Sequence, residues 1–167
     1  HISPEGKLLN SFTVGEREWN IVDSMATDAQ GRLYVRMRMQ EDGSYVRIYS
    51  AEGELIGTVA DDNSYVVQGV GALGQGKDGK VYVAAQTVGN TTAGNTAMTL
   101  VSVDPESLRF VPVAGGENVI CSADTIYPWK MVAAGVSETA DFILWGYNGV
   151  DTYCLGETEF TRVQENW

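Results

Sequence analysis

The chain reads ATDAQGRLYV at residues 26–35 and GQGKDGKVYV at residues 74–83. In each stretch a turn ends on a glycine, Gly31 or Gly79, and a basic residue then precedes an aliphatic–tyrosine–valine run. A glycine turn followed by β-branched and aromatic residues is typical of the start of a β-strand. A weaker copy, SETADFIL, follows at residues 137–144. This internal repeat predicts a chain built from similar supersecondary units.

A turn and a partner strand follow each of these strands. Residues 41–44 are Glu-Asp-Gly-Ser, and Asp-Gly predicts a two-residue hairpin because both positions favour positive φ. Asn148-Gly149 gives the same signal in the last copy. The middle link, from Gly89 to Thr96, is rich in glycine, asparagine and threonine, so it is predicted to be a mobile loop.

A second repeated motif follows each hairpin and leads into a predicted outer strand. Its copies read SAEGELI at 50–56, DPESLRF at 104–110 and GETEF at 156–160. A further copy, SPEGKLL at 3–9, stands alone with no hairpin before it. Each copy predicts a tight turn followed by a strand.

The predicted fold class is all-β and β-propeller-like, with about three four-stranded antiparallel blades plus one extra outer strand. Four-stranded repeats of roughly 40 to 60 residues are typical of propeller blades. No segment keeps helical periodicity over three turns, so almost no helix is expected. The predicted strands are 19–27, 32–40, 45–50 and 54–60, then 65–75, 80–87, 97–103 and 107–113, then 127–136, 141–147, 150–155 and 158–164.

One domain is expected over residues 1–167. It consists of a leading outer strand at 1–14 and of blades at 15–62, 63–116 and 117–167.

The residues 28–35 and 77–83 resemble the blades of bacterial propellers of the NHL, SMP-30 and quinoprotein-like families. The motif is short and common, so it specifies a blade and neither a family nor an activity. Closed propellers need about four blades or more. Three blades therefore imply a piece of a larger secreted or cell-surface bacterial protein, which we favour, or an open arc, or two chains joined edge to edge as a homodimer.

Charge and composition narrow the partners. The formal net charge is −11, which repels phosphate backbones and anionic membrane surfaces, so no nucleic acid partner is expected. Neither a run of eighteen apolar residues nor a signal peptide is seen, so no membrane insertion is expected. The one histidine is His1, which argues against histidine-based catalysis or metal binding, and no cofactor is predicted.

The two cysteines leave two alternatives open. Cys121 and Cys154 are too few for a disulfide scaffold and have no zinc-site spacing. They either form a single bridge in an oxidising compartment or are two buried thiols.

Aromatic residues form the first candidate site. Trp19, Tyr65 and Trp129 fall at the start of the predicted inner strands, and Tyr127 lies close by. In propellers that end of the inner strand faces the central channel, where aromatic rings stack on sugars or apolar groups. The alternative is that these rings plug the channel or pack between blades.

Arginines form the second candidate site, for an anion. With Asp42-Gly43 as the turn, Arg38 is predicted opposite Arg47, and Arg36 shares their face. Like charges directly opposite are unfavourable unless an anion lies between them. The alternative partner is a carboxylate of the protein itself, such as Asp23 or Glu52.

The third candidate is a metal site at Asp61, Asp62 and Asn63. Clustered oxygen ligands suit calcium, but the spacing is not that of an EF-hand, and such residues are also ordinary turn formers.

The function expected from these patterns is a non-catalytic propeller module. It would bind a carbohydrate, another ligand or a protein partner, or act as a scaffold for neighbouring domains. One alternative is a propeller hydrolase. It would be a metal-dependent lactonase, as the resemblance to the SMP-30 family implies, or a glycosidase that uses a pair of the many carboxylates. The other is a structural fragment that works only in its parent chain or in an oligomer.

Overall fold

A computed structural model describes most of the chain as antiparallel β-structure. The described residues are 2–14, 21–39, 43–60, 65–66, 73–92, 95–116, 128–137, 140–146, 150–155 and 160–166. Across these ranges the strands form three sheets, and no α-helix is present. The all-β prediction is confirmed at this level.

The first sheet is a four-stranded meander. Its strands follow chain order and each pairs with the next in antiparallel fashion. The predicted strands of this unit are confirmed to within a few residues. They are β1 (Ile21–Thr27), β2 (Leu33–Met39), β3 (Gly43–Tyr49) and β4 (Leu55–Ala60).

The register of the β2–β3 hairpin differs from the prediction. Arg36 lies opposite Val46, whereas Arg47 lies opposite Val35. Side chains alternate between the two faces of a strand, and directly opposed residues share a face. Arg36 and Arg47 therefore occupy opposite faces of the first sheet.

The wrong register has a local cause. The prediction took Asp42 and Gly43 as the two turn residues and so placed Arg38 opposite Arg47. Gly43 is instead the first residue of β3 and pairs with Met39. Moving a register by an odd number of residues sends every side chain to the other face, so the predicted like-charge pair is not formed.

The second sheet is centred on a long hairpin. Two short strands, β5 and β6, both pair with β7, at different points along it, and β7 then pairs with β8 and β8 with β9. The single inner strand predicted at 65–75 is therefore split in two. The strands are β5 (Tyr65–Val66), β6 (Leu73–Gln75), β7 (Val81–Thr92), β8 (Asn95–Asp104) and β9 (Arg109–Pro112).

The loop predicted from Gly89 to Thr96 is largely strand. Thr91 pairs with Thr96 and Thr92 with Asn95, so both strands extend into this segment. Threonine favours extended structure, and here the pairing of β7 with β8 outweighs the turn tendency of glycine and asparagine. The loop prediction was wrong for these residues.

The third sheet repeats the meander of the first. Its four antiparallel strands follow chain order, and they match the predicted spans to within a few residues. The first strand of this sheet contacts β6 of the second sheet. The strands are β10 (Pro128–Ser137), β11 (Ala140–Gly146), β12 (Val150–Leu155) and β13 (Phe160–Asn166).

The main core lies between the first two sheets. Between β1 and β6, Ser24 Oγ accepts a hydrogen bond of 2.9 Å from the backbone amide of Leu73. At the last strands of the two sheets, the Leu108 side chain, just before β9, packs over Gly57 of β4. The buried core residues are Tyr34, Val46, Ile48 and Val59 of the first sheet, and Leu73, Val81, Val83, Ala85, Val101, Val103 and Phe110 of the second.

A second cluster lies on the opposite face of the first sheet. Phe12 and Val14 pack there, and the Phe12 ring lies 5.5 Å from that of Tyr49. Asn10 Nδ2 donates a 3.0 Å hydrogen bond to the carbonyl of Glu52 and so ties this segment to the β3–β4 turn. Where a leading outer strand was expected, residues 2–14 contain an isolated β-bridge between Ile2 and Leu8. The other buried members of the cluster are Val35, Met37 and Tyr45.

Candidate functional site

One turn geometry recurs at residues 3–7, 28–32, 50–54 and 76–80. In each turn the amide of the first residue donates to the carbonyl of the fifth, and the amide of the fourth donates to the carbonyl of the first. The fourth residue is always a glycine with positive φ, a region that other residues rarely adopt. These four copies of the two repeated motifs therefore share a single turn type.

Two of these turns meet where the first and second sheets come together. The backbone amide of Ala29 donates a 2.9 Å hydrogen bond to the carbonyl of Gly79. A Cβ atom placed on Gly79 would lie 2.5 Å from the Cβ of Ala29, which is closer than two carbon atoms can approach. Glycine at this position is thus required both by its φ of 79° and by the neighbouring turn.

Asp28 is the centre of the first turn. Its Oδ1 accepts hydrogen bonds of 2.9 Å from the backbone amides of Gln30 and Arg32. Its Oδ2 accepts from Arg32 Nε at 2.5 Å and from the Tyr34 hydroxyl at 3.0 Å. The Asp28 side chain is only 2% exposed, so its carboxylate is shielded from water and accepts hydrogen bonds from four protein donors instead.

The ionisation of this group follows from its contacts. Burial alone would raise the pKa of Asp28, but the hydrogen bonds from Arg32 and Tyr34 outweigh it and lower the pKa below its usual value. Burial, together with the negative charge of Asp28, raises the pKa of the Tyr34 hydroxyl. Asp28 is therefore held as an anion and Tyr34 as a neutral donor.

The second turn reproduces this arrangement with a different acid. Tyr82, which aligns with Tyr34 in the repeat, donates a 2.6 Å hydrogen bond to Asp78 Oδ2. Asp78 also accepts from the Lys80 amide at 3.2 Å, and Lys80 Nζ lies 3.9 Å from its Oδ2. Asp78 aligns with Gln30 rather than with Asp28, and it is exposed where Asp28 is buried.

A cleft of about 440 Å³ opens between these two turns and the β8–β9 turn. One wall comes from the first sheet and the other from the second. The cleft is the candidate functional site because it joins charged, hydrogen-bonding and apolar groups of two sheets in one concave surface. Its lining residues are Asp28, Gln30, Arg32, Tyr34, Asp78, Gly79, Lys80, Val81, Ser102, Val103, Asp104, Pro105, Glu106 and Val111.

The β8–β9 turn supplies the acidic side of the cleft. Asp104 Oδ2 accepts a 2.6 Å hydrogen bond from the Ser107 hydroxyl, and Oδ1 accepts from the Glu106 amide at 3.1 Å. The Ser107 hydroxyl and then the Glu106 amide lower the pKa of Asp104. Glu106 is exposed beside it. Burial would lower the pKa of Arg32, but the hydrogen bond to Asp28 and the negative charges nearby, which include Glu106, raise it. In this turn the residue with a positive φ is Leu108, at 54°.

The predicted aromatic site is described only in part. Tyr65 is the first residue of β5 and Trp129 the second of β10, so each lies at the start of a strand. Trp19 and Tyr127 lie outside the described residues. A ligand-binding role for these four residues stays a prediction.

The predicted anion site is divided by the sheet. Arg36 is buried, at 4% exposure, on the face that carries Tyr34. Arg47 lies on the other face, where its Cζ atom stands 5.3 Å from the centre of the Tyr45 ring in a cation–π contact. Arg38 lies opposite Ser44 in the observed register. The cross-strand pair of Arg38 with Arg47 on which this site was based is therefore not formed, and an anion-binding role for Arg36, Arg38 and Arg47 stays a prediction.

The predicted metal ligands Asp61, Asp62 and Asn63 lie outside the described residues. Within the described ranges, no group of three histidine, cysteine, aspartate or glutamate side chains is placed to hold a metal ion.

Sequence reasoning missed the cleft although it used the same residues to find the repeat. Tyr34 and Tyr82 occupy equivalent positions, and each is preceded by an acid in its own turn. An acidic residue, a basic residue and a tyrosine recur in the two aligned turns, and this pattern is the sequence signal for a candidate site there. That the turns also face each other follows only from the packing of the two sheets.

Comparison with known proteins yields no match to any family model, to any curated protein or to any solved structure. In the part of the chain that the structure describes, no helix has the length and apolar character needed to cross a membrane.

Proposed function

We propose that the chain is a non-catalytic propeller-type module and that its inter-sheet cleft binds a small polar ligand. The observation that carries the proposal is the cleft itself, because each of its two walls carries one copy of the repeated glycine turn. Three consecutive antiparallel sheets, with the inner strands β1, β6 and β10 in neighbouring positions, support the interpretation as blades. The acidic composition fits the secreted or cell-surface setting that the resemblance implies.

The ionisation of the cleft favours binding over acid–base catalysis. The pKa values of Asp28 and Asp104 are lowered, whereas those of Tyr34 and Arg32 are raised. Each of these shifts moves a group further from the neutral range in which a general acid or base works best. Fixed charges and fixed donors suit recognition of a ligand.

The experiment is a fragment screen by ¹⁵N–¹H NMR on the 167-residue chain. Polar fragments should shift amides of residues 28–34, 78–82 and 102–107 together. The matched variant is Val111→Trp, which places a large side chain at the cleft from an exposed position on β9 and should abolish these shifts. Fragments that shift only other regions, or that bind Val111→Trp unchanged, would remove the cleft from the proposal.

A further inference from the structure

The cleft is lined by two cations and four carboxylates. The cations Arg32 and Lys80 come from equivalent positions of the two facing turns, one from each sheet, and each is paired with a carboxylate of its own turn, Asp28 or Asp78. The other two carboxylates, Asp104 and Glu106, come from the β8–β9 turn. Across the described residues, no ion pair within 4.0 Å joins Arg32 or Lys80 to Asp104 or Glu106.

The cations keep capacity for a further partner. The Arg32 side chain is 28% exposed and donates Nε to Asp28, while a terminal nitrogen lies 3.3 Å from Gln30 Oε1. A guanidinium has five N–H donors, so these contacts leave others for a ligand. The Lys80 side chain is 69% exposed and lies 3.9 Å from Asp78, which is a loose pair. Two positive groups thus face the same space from two walls.

The acidic side is equally available. Glu106 is exposed, and its backbone amide, rather than its carboxylate, makes the hydrogen bond to Asp104. Glu106 and Arg32 both line the cleft, yet no ion pair within 4.0 Å joins them. The cleft therefore offers a positive and a negative group across a gap.

We propose that the cleft binds a small zwitterion, an α-amino acid or a dipeptide. The ligand carboxylate meets Arg32 and Lys80, and its ammonium group meets Asp104 and Glu106. This assignment rests on the proposed function and names the chemical class of its ligand. Charge-assisted hydrogen bonds at both ends would fix the orientation of such a ligand.

Other ligand classes fit the cleft less well. A simple anion is repelled by the net charge of −11, and a simple cation leaves the remaining donors of Arg32 and Lys80 without a ligand acceptor. Sugars usually stack on an open aromatic face, but the aromatic ring that lines this cleft, Tyr34, is only 1% exposed. The volume of about 440 Å³ lies at the small end of ligand pockets, which span roughly 300–1,000 Å³.

The test is an NMR titration of the ¹⁵N-labelled chain with glycylglycine, and with acetate, methylammonium and glucose as comparison probes. Glycylglycine should give saturable shifts at residues 28–34, 78–82 and 102–107, with a Kd about tenfold or more below that of either singly charged probe. The affinity should fall as the salt concentration rises, because the charges at the cleft are partly exposed.

Single-charge variants separate the two ends of the ligand. Lys80→Gln and Glu106→Gln should each weaken glycylglycine binding about tenfold. Lys7→Gln and Glu54→Gln remove the same charges at exposed positions of other turns and should change the Kd by less than about twofold, since distant exposed charges are screened. Equal losses in all four variants would overturn the assignment, because only net charge would then matter.

The failures of the two proposals look different. If glucose shifts the cleft amides and glycylglycine does not, the zwitterion assignment is wrong while the cleft remains a binding site. If none of these probes and no fragment shifts the cleft amides of the folded chain, both proposals are wrong.

Discussion

Two tyrosines at equivalent positions find a carboxylate partner in different ways. Tyr34 reaches Asp28, the first residue of its turn, whereas Tyr82 reaches Asp78, the third residue of its own. The two acids differ in environment, because Asp28 is buried with four donors and Asp78 is exposed. A chemically identical substitution should therefore have unequal effects at the two sites.

We expect Asp28→Asn to lower the free energy of unfolding by about 2 kcal/mol, because the charge-assisted bond to Arg32 is lost and a buried site is left badly matched. Asp78→Asn, the matched control, should cost less than about 1 kcal/mol because exposed ion pairs are weak. Urea denaturation at pH 7 measures both. Equal costs would contradict the role assigned to the Asp28 network.

The contribution of Asp28 should also depend on pH. Its pKa is lower in the folded chain than the ordinary value of 3.8, so the unfolded chain binds its proton first as the pH falls. The stabilisation is complete above the unfolded pKa, and it is lost as the pH falls from about 4 towards the folded pKa. The stability gap between the wild type and Asp28→Asn should therefore shrink between pH 5 and pH 2.5; a gap that stays constant would count against the charged network.

At this scale the sequence predicts geometry better than chemistry. Gly31 and Gly79 were assigned to turns because glycine punctuates the repeat, and both adopt a positive φ. The role of Asp28 was not predicted, since its four donors converge on it only when the turn and the start of β2 have formed. The register of the first hairpin was predicted wrongly because Asp42-Gly43 is typical of a two-residue turn, whereas Gly43 is already paired with Met39 as the first residue of β3.

The elements are joined through their turns as well as through their core. Ala29 donates to Gly79 across the boundary of the first two sheets, and Ser24 receives the Leu73 amide between β1 and β6. Leu108 covers Gly57 at the last strands of the two sheets. These three contacts fix the second sheet against the first at three separated places, and they hold the walls of the cleft in position.

Gly31 and Gly79 provide a matched test of this boundary, since both have a φ of 79°. A Cβ on Gly31 meets only the Ala51 side chain at 3.8 Å, so Gly31→Ala should cost about 1 kcal/mol for the backbone alone. Gly79→Ala adds a clash with Ala29 and should cost about 1–3 kcal/mol more.

The double variant Ala29→Gly with Gly79→Ala separates the two terms. It should recover the steric part of the loss and leave the backbone part, with Ala29→Gly alone as the reference. Chemical denaturation gives all four free energies. Equal costs for Gly31→Ala and Gly79→Ala would mean that the two turns do not contact each other as described.

Strand order was predictable and strand extent was not. Each unit has a turn, a hairpin and a second turn in fixed order, which is enough to place β1–β4 and β10–β13 within a few residues. The long β7–β8 hairpin departs from this scheme because pairing with a partner strand extends through a segment whose residues favour turns. The split of β5 from β6 likewise depends on how β7 is paired and not on local propensity.

For the whole molecule, the repeat predicts several similar sheets but not what covers the face of the first sheet that is turned away from the second. Repeat arrays bury the apolar face of each unit against a neighbour. In this chain, the face of the first sheet turned away from the second carries Val35 and Met37, both fully buried. Phe12 and Val14 pack against this cluster, so the segment read as a spare outer strand contributes the cover.

Phe12 should therefore stabilise the first sheet. The Phe12 ring contacts Tyr49 and fills the space above Gly53, where a Cβ would lie 2.6 Å from the ring. We expect Phe12→Ala to lower the free energy of unfolding by about 2 kcal/mol, less than for a fully buried phenylalanine because Phe12 is half-buried.

The matched control is Leu9→Ala, three residues earlier, where the side chain is 54% exposed and the cost should stay within about 0.5 kcal/mol. Urea denaturation gives both values, and light scattering follows self-association. Phe12→Ala should also bind an apolar dye more strongly and associate at high concentration, because it uncovers part of an apolar sheet face. If Phe12→Ala matched Leu9→Ala in stability and mass, residues 10–14 would not be the cover of the first sheet.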